Sequence, residues 1–348
     1  LGHATSNTPV PGSCFEIDAT IADVNIVSPW RKNHTLGKPT IYSVVDKASR
    51  MIVGLTVSLE NASWKAARQA LVIAFTPKVE YCAHYGINIT ESDWPCNHIP
   101  QSLLCDRGEM IGLKAEELAV PLTELRFTPP YRADFKGIVE RRFGIYNEEL
   151  HTLKGTTRGK IRTRGEKDPR QEAIHTLNEI TTILLQQVIK HNKKIFDDLG
   201  TSSSMLIEND LPPTPINFWK IHVSNYRHAL KNIDENEVRA LLLDKKYVSI
   251  TSTGIMCDGL YYSCDIAIRE NWFSTARTSG RWKVEARVNL DDTTYIYIKP
   301  DRNRPFIKCQ ILERSNMFKG YTKFDVEYYQ DWHKSKKAKH SITTDDIQ

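Results

Sequence analysis

The chain of 348 residues is 40% hydrophobic and 26% charged, ordinary globular values that exclude a collagen, a coiled-coil rod and a wholly disordered chain. Its length suits about two domains, with core enough to fold without staples. Lys and Arg number 47 against 42 Asp and Glu, a small excess, so where the charge sits matters more than its total. No run approaches the roughly 18 uncharged apolar residues of a membrane span, and no basic-then-apolar leader opens the chain. It starts Leu1-Gly2-His3 without a Met, which reads as a piece of a longer protein. Seven cysteines, an odd number without a CxxC, suit a reducing, cytoplasmic compartment. Cys82-Ala83-His84 and Cys96-Asn97-His98 are ligand types zinc accepts, but their spacing matches no finger, and plain thiols are the favoured reading.

Residues 1–12, polar with Pro9 and Pro11, read as an extended lead-in. Residues 13–21, 40–45 and 51–59 are rich in β-branched and apolar side chains and predict three strands of an antiparallel meander. They are joined by a turn over 29–38 and a tight turn at Asp46-Lys47-Ala48-Ser49. Asn61 or Ser63 caps a helix through residue 75, with Trp64, Ala67, Leu71 and Phe75 on one face. Residues 76–100 read as loop, 102–105 as a short buried strand, and a helix follows from Gly112. A strand spans 123–127, Pro129-Pro130 breaks the chain, and 133–150 is helical. Residues 169–196 predict one long amphipathic helix on the rhythm Ile174, Leu177, Ile180, Leu184, Val188, Ile195. Residues 200–217 are a linker and 217–230 a helix. Over 236–312, short alternating runs separated by Asp258-Gly259, Ser279-Gly280 and Asp291-Asp292 predict a small β-barrel. The tail, 313–348, with its basic run at 333–340, reads as partly disordered.

Three acids stand out by context. Asp18 lies inside the first strand, where a carboxylate is costly to bury unless a cation pairs it. Asp106 ends the strand at 102–105, and Glu140 lies on the helix that follows. Oxygen ligands from a strand, a strand end and a helix suit Mg²⁺ or Mn²⁺. Three carboxylates around two such ions about 4 Å apart suit in-line phosphoryl transfer. Read singly, the acids have plainer roles: a turn cap, a turn residue and a solvated helix acid beside arginines. Residues 154–170 (KGTTRGKIRTRGEKDPR) hold seven basic and two acidic residues with three glycines, a strip that is either a solvated linker or a track for phosphates.

The order strand-Asp, meander, helix, strand-Asp-Arg-Gly, and then Pro130-Tyr131-Arg132-Ala133-Asp134-Phe135-Lys136-Gly137-Ile138-Val139-Glu140-Arg141-Arg142-Phe143-Gly144, resembles the DDE core of retroviral-integrase-like transposases. Residues 41–50 resemble their second strand and turn. More closely, the chain resembles TnsB-type DDE transposases, a family related to phage Mu transposase. The resemblance implies an α/β RNase H-like catalytic core over 1–150, a five-stranded mixed sheet with helices on both faces. A basic linker and helices over 151–235, the barrel and the extension would follow. It implies that Asp18, Asp106 and Glu140 are catalytic and hold two Mg²⁺ ions, with Mn²⁺ as a substitute. It further implies cleavage of transposon 3′ ends and joining of the freed 3′-hydroxyls to target DNA by a homo-oligomer on DNA. Lys136, Arg141, Arg142, Lys154, Arg158, Lys160, Arg162, Arg164, Arg281 and Lys283 are the expected DNA contacts. The family's partners would be a companion 5′-strand nuclease and an AAA+ ATPase that selects targets, in the cytoplasm at a bacterial nucleoid and with no membrane. Its N-terminal end-binding helical domains have no counterpart here. The alternatives are a Mu-like transposase or integrase acting without a companion nuclease, and a non-catalytic DNA-binding architectural module.

Overall fold

The structure, a computed structural model, describes residues 10–61, 63–105, 122–127, 137–157, 167–301 and 303–345, with the backbone alone for 127, 137–142 and 339–345. The chain divides into two compact units, Leu1–Leu242 and Leu243–Gln348. The first begins with β1 (Cys14–Ile21), β2 (Ile26–Val27), β3 (Thr35–Gly37), β4 (Thr40–Asp46) and β5 (Ile52–Ser58). The predicted meander is β1, β4 and β5; the segment expected to be one turn also carries β3, which pairs with β2. The helices α1 (Trp64–Phe75) and α2 (Val79–His84) follow, then β6 (Ser102–Cys105), β7 (Glu124–Phe127) and α3 (Gly137–Leu150). α2 lies where only loop was expected. The helix expected from Gly112 lies outside the described residues.

The sheet runs in the order β5-β4-β1-β6-β7, antiparallel on the β4 side of β1 and parallel on the β6 side. Every residue of β4 and β5 is buried because helices cover both faces. Gly54, opposite Val44, lies against Ala70 and Ala74 of α1. Ser43 therefore faces the other way, and its hydroxyl meets that of Tyr146 on α3 at 3.2 Å. On the α1 side, Phe15 stacks against Phe75 and Trp219 at 6.4 and 6.2 Å. The free edge of β5 is closed by Asn192, which accepts from the Ile52 N–H at 2.9 Å and donates to its carbonyl at 3.0 Å. This is the expected five-stranded mixed sheet with helices on both faces.

The long helix expected over 169–196 is two helices, α4 (Pro169–Glu172) and α5 (Leu177–Asn192). Thr176 and Glu179 form a reciprocal capping box that starts α5 afresh. The break frees the His175 carbonyl to accept from Val27 at 2.8 Å, so β2 gains a bond that a continuous helix would have consumed. The predicted linker contains α6 (Asp197–Ser202) and α7 (Ser204–Glu208), packed in a cluster of Ala48, Leu199, Leu206 and Phe218. α8 (Pro215–Ser224) starts earlier than expected at Pro215 and ends at Ser224 rather than 230. α9 (Glu235–Leu242) buries Val238 and Leu242 within the first unit, so the barrel begins later than residue 236.

The second unit closes six strands into a barrel: β8 (Asp244–Thr251), β9 (Gly254–Cys257), β10 (Leu260–Ser263), β11 (Trp282–Val288), β12 (Tyr295–Lys299) and β13 (Ile307–Ile311), in the order β10-β13-β12-β11-β8-β9. Between β10 and β11 lie α10 (Asp265–Arg269) and α11 (Trp272–Ser279), where Trp272 and Ala276 are buried. β11 alternates Val284, Ala286 and Val288 inward with Lys283, Glu285 and Arg287 outward. The tail expected to be disordered contains a helix, α12 (Lys323–Asp345). Thr322 and Asp325 cap its start by mutual bonds, and Val326 and Tyr329 pack inward, Tyr329 against Phe318 at 5.2 Å. Among the described residues no helix is long and apolar enough to cross a membrane.

Candidate active site

Asp18 is the fifth residue of β1, half-buried, its Oδ1 accepting from the Ala19 N–H at 3.0 Å. It stands opposite Ser43, so it shares the α3-covered face of the sheet. β1 is the sheet's central strand; at Asp18 it is paired with β4, two residues past the last position paired with β6. Glu16, two residues earlier on the same face, is fully buried. Sequence reading passed over it; its parity with Asp18 was the available signal.

Past the end of β1, buried Asp23 ties the strand to α3. Its N–H donates to Asn147 Oδ1 at 3.2 Å, and its carboxylate lies 3.4 Å from His151 Nε2 and 3.9 Å from Lys38 Nζ. Its carbonyl accepts from Thr157 N–H at 2.8 Å and Thr156 Oγ1 at 3.0 Å, anchoring the chain that leads into the basic strip. This latch went unread because its members lie over a hundred residues apart. Glu140 is in the first turn of α3, and positions 140 and 147 fall on one helical row, with His151 just past the helix end.

β6 runs parallel to β1 with Glu16 opposite Leu104, and its last residue, Cys105, immediately precedes Asp106. Asp106 lies outside the described residues, as do Lys136, Arg158, Lys160, Arg162 and Arg164; so do the side chains of Glu140, Arg141 and Arg142. Lys154 is exposed at the head of the strip. Arg281 and Lys283 are exposed on the second unit, beside and on β11. Among the described residues, then, β1 carries Asp18, the neighbouring β6 ends one residue before Asp106, and α3 packs on the face of Asp18.

Among the described residues no three His, Cys, Asp or Glu gather as a metal site. The two cysteines of the CxH pairs are buried, neutral thiols. Burial pushes the Cys82 and Cys96 thiols up to about 11. Burial, with Lys78 and His228 nearby, pulls His98 down to about 4. Buried Lys78 donates to the carbonyls of Ala74 at 2.9 Å, Thr76 at 2.8 Å and Cys96, ending α1; burial lowers it to about 8. A lysine ammonium among neutral thiols repels a dication.

Residues 16–155 match the family model of the TnsB C-terminal domain. The chain is 35% identical over 342 residues to the Escherichia coli protein described as transposon Tn7 transposition protein TnsB, covering 96% of this chain. It spans about half the length of that curated relative, 48%. Two solved structures share distant likenesses. One is the simian T-cell lymphotropic virus intasome, with TM-score 0.38, 13% identity, and coverage of 88% of this chain and 78% of that one. The other is the catalytic core domain of BIV integrase, with TM-score 0.32, 14% identity, and coverage of 62% and 99%. The chain belongs to the TnsB family, and its match to the TnsB C-terminal domain falls on residues 16–155.

Proposed function

We propose that the first unit is the RNase H-like core of a DDE transposase, which cleaves transposon 3′ ends and joins the freed 3′-hydroxyls to target DNA. The observation that carries this reading is the placement of Asp18 at mid-strand on the face that α3, the helix of Glu140, covers. The parallel pairing supports it: Glu16 stands opposite Leu104, and β6 ends at Cys105, the residue before Asp106. The printed function of the Tn7 relative, transposition, agrees.

The donor set fits a hard divalent cation. Asp18, Asp106 and Glu140 offer only carboxylate oxygens, and Asp18 comes from a strand bonded on both sides. When bound, two Mg²⁺ ions, or Mn²⁺ in their place, would stabilise charge on the attacking and leaving oxygens of an in-line displacement. The chain's own residues supply position. The central strand holds Asp18, while Tyr146 on Ser43 and the Asp23–Asn147 latch hold α3 against it, so strand and helix are set before DNA enters. Both displacements, by water and then by the 3′-hydroxyl, occur at phosphorus, so one site serves both without a covalent enzyme intermediate. Lys154 and the strip at 158–164, with Lys136, Arg141 and Arg142, track the backbone of the bound DNA; Arg281 and Lys283 extend that role to the barrel. Assembly as a homo-oligomer on paired ends, with a companion 5′-strand nuclease and an AAA+ target selector, belongs to this proposal.

The test is strand transfer by the full-length protein on labelled transposon-end DNA, with and without Mg²⁺. Asp18→Ala, Asp106→Ala and Glu140→Ala should each reduce joining to background while end binding persists. Joining that survives any of the three, or binding lost in all three, overturns the assignment. In the same binding assay, replacing Arg158, Lys160, Arg162 and Arg164 with Ala should flatten the salt slope of log K by about 2–4 units. An unchanged slope makes the strip a linker.

A further inference from the structure

The barrel carries a pair of thiols that the proposed DNA chemistry does not use. β10 and β13 pair antiparallel, Tyr262 opposite Ile311 and Ser263 opposite Gln310. One residue further along the ladder, Cys264 stands opposite Cys309. Cys264 has the extended backbone this requires, with φ −148° and ψ 161°. Hydrogen-bond parity identifies the type of pair. The Leu312 N–H donates to the Tyr261 carbonyl at 2.7 Å, whereas the Ile311 N–H turns toward the other neighbour and donates to Thr294 at 3.0 Å. Bonded and non-bonded pairs alternate along an antiparallel ladder, so 264/309, like 262/311, is a non-bonded pair. There the Cα atoms lie about 4.5 Å apart with side chains close, inside the range of about 4.4–6.8 Å that a disulfide spans.

Exposure singles out the same residue. Of the seven cysteines six are buried and Cys264 alone is half-exposed; Cys309 is fully enclosed behind it. The interaction between the two thiols holds Cys264 down to about 6 and pushes Cys309 up. Burial raises the thiols of Cys14, Cys82, Cys96 and Cys257.

We propose that Cys264 and Cys309 are a hydroperoxide-sensitive thiol pair that closes reversibly into a cross-strand disulfide, Cys264 attacking and Cys309 resolving. In the first step the Cys264 sulfur attacks hydrogen peroxide. An S–O bond forms, the O–O bond breaks, and the departing hydroxide takes a proton to leave as water. In the second step the Cys309 sulfur attacks that sulfenic acid. The S–S bond forms, the S–O bond breaks, and the hydroxyl leaves as water with the Cys309 proton. Two thiols and one peroxide become one disulfide and two waters; the sulfurs are oxidised and the peroxide oxygens reduced. In a reducing compartment such a bond is transient and reports an oxidising episode. It ties β10 to β13 and so makes their junction in the ring covalent.

The test treats the full chain with hydrogen peroxide, alkylates the remaining thiols, and maps peptides by mass spectrometry. A dominant linked peptide joining Cys264 to Cys309, lost after dithiothreitol, is expected. Cys309→Ser should leave Cys264 as a sulfenic acid trapped by dimedone, and Cys264→Ser should leave Cys309 unmodified at the same peroxide dose. The wild-type map decides alone if a variant misfolds. Oxidation of Cys264 no faster than of the other thiols, a link to a different cysteine, or direct passage to sulfinic acid without a 264–309 link overturns the proposal.

Discussion

Asp46 ends β4 with no exposed surface, and its carboxylate organises the turn that follows. It accepts from the Gly12 N–H at 2.9 Å, the Ser49 N–H at 2.8 Å and the Ser49 hydroxyl at 2.6 Å. Burial nevertheless prevails over these bonds and lifts its pKa to about 6 from an ordinary 3.8. Between these values the folded state holds the proton and the unfolded state has lost it. Stability from this group therefore falls as pH rises from about 4 to 6 and is level above that, by at most about 3 kcal/mol. Asp46→Asn removes the titration. The stability of the wild type minus that of the variant, from urea titrations, should drop across this window; a difference independent of pH refutes the account. Asp46-Lys47-Ala48-Ser49 was legible as a turn, but the burial of its carboxylate was not, because burial depends on Gly12 arriving from another part of the chain.

Among elements, the contact of α1 with β5 leaves no room for a side chain at Gly54. A Cβ on Gly54 would sit 2.8 Å from the Ala70 carbonyl and 2.9 Å from the Cβ and N of Ala74. These are backbone atoms and a methyl with nowhere to go. Gly54→Ala should cost about 1–3 kcal/mol through separation of helix and strand. Gly144 on α3 has nothing within 4 Å of its hypothetical Cβ, so Gly144→Ala should stabilise by up to about 1 kcal/mol through helix propensity. Denaturant midpoints that move in the same direction for both would show that space does not decide. The capping box at Thr176 and Glu179 shows the limit of pattern reading at this scale. The T-x-x-E spacing was visible, yet the apolar rhythm through Ile174 and Leu177 masked it, because periodicity counts side chains and ignores where a carbonyl is needed.

For the whole molecule, the boundary at Leu242/Leu243 has a direct consequence. Residues 243–348 contain all six barrel strands, with α12 capping from its own Thr322–Asp325 box. Expressed alone, this piece should give dispersed amide resonances and a single cooperative unfolding transition. A collapsed spectrum or gradual melting would show that the barrel depends on the rest of the chain. Starting the piece at residue 236 instead would strand most of α9, whose Val238 and Leu242 are buried in the first unit. Alternation placed the barrel strands well, but the amphipathic helix just ahead of them was taken into the barrel because its sequence does not say which core it serves.

What the sequence settled by itself was local. β-branched runs made β1, β4 and β5, turn dipeptides spaced the barrel strands, and Asp18 was marked as unusual by its apolar neighbours alone. These signals survive because strand and helix periods are read within a few residues of each other. Tertiary structure alone decided the pairings. It set β6 beside β1 although 80 residues, carrying the excursion through β4 and β5, lie between the end of β1 at Ile21 and the start of β6 at Ser102. It brought Asp23 to Asn147 and His151, and Cys264 to Cys309. Each such meeting closes a long loop, and the closure entropy is offset only by burial summed over the whole sheet or barrel, a quantity no short window of residues contains.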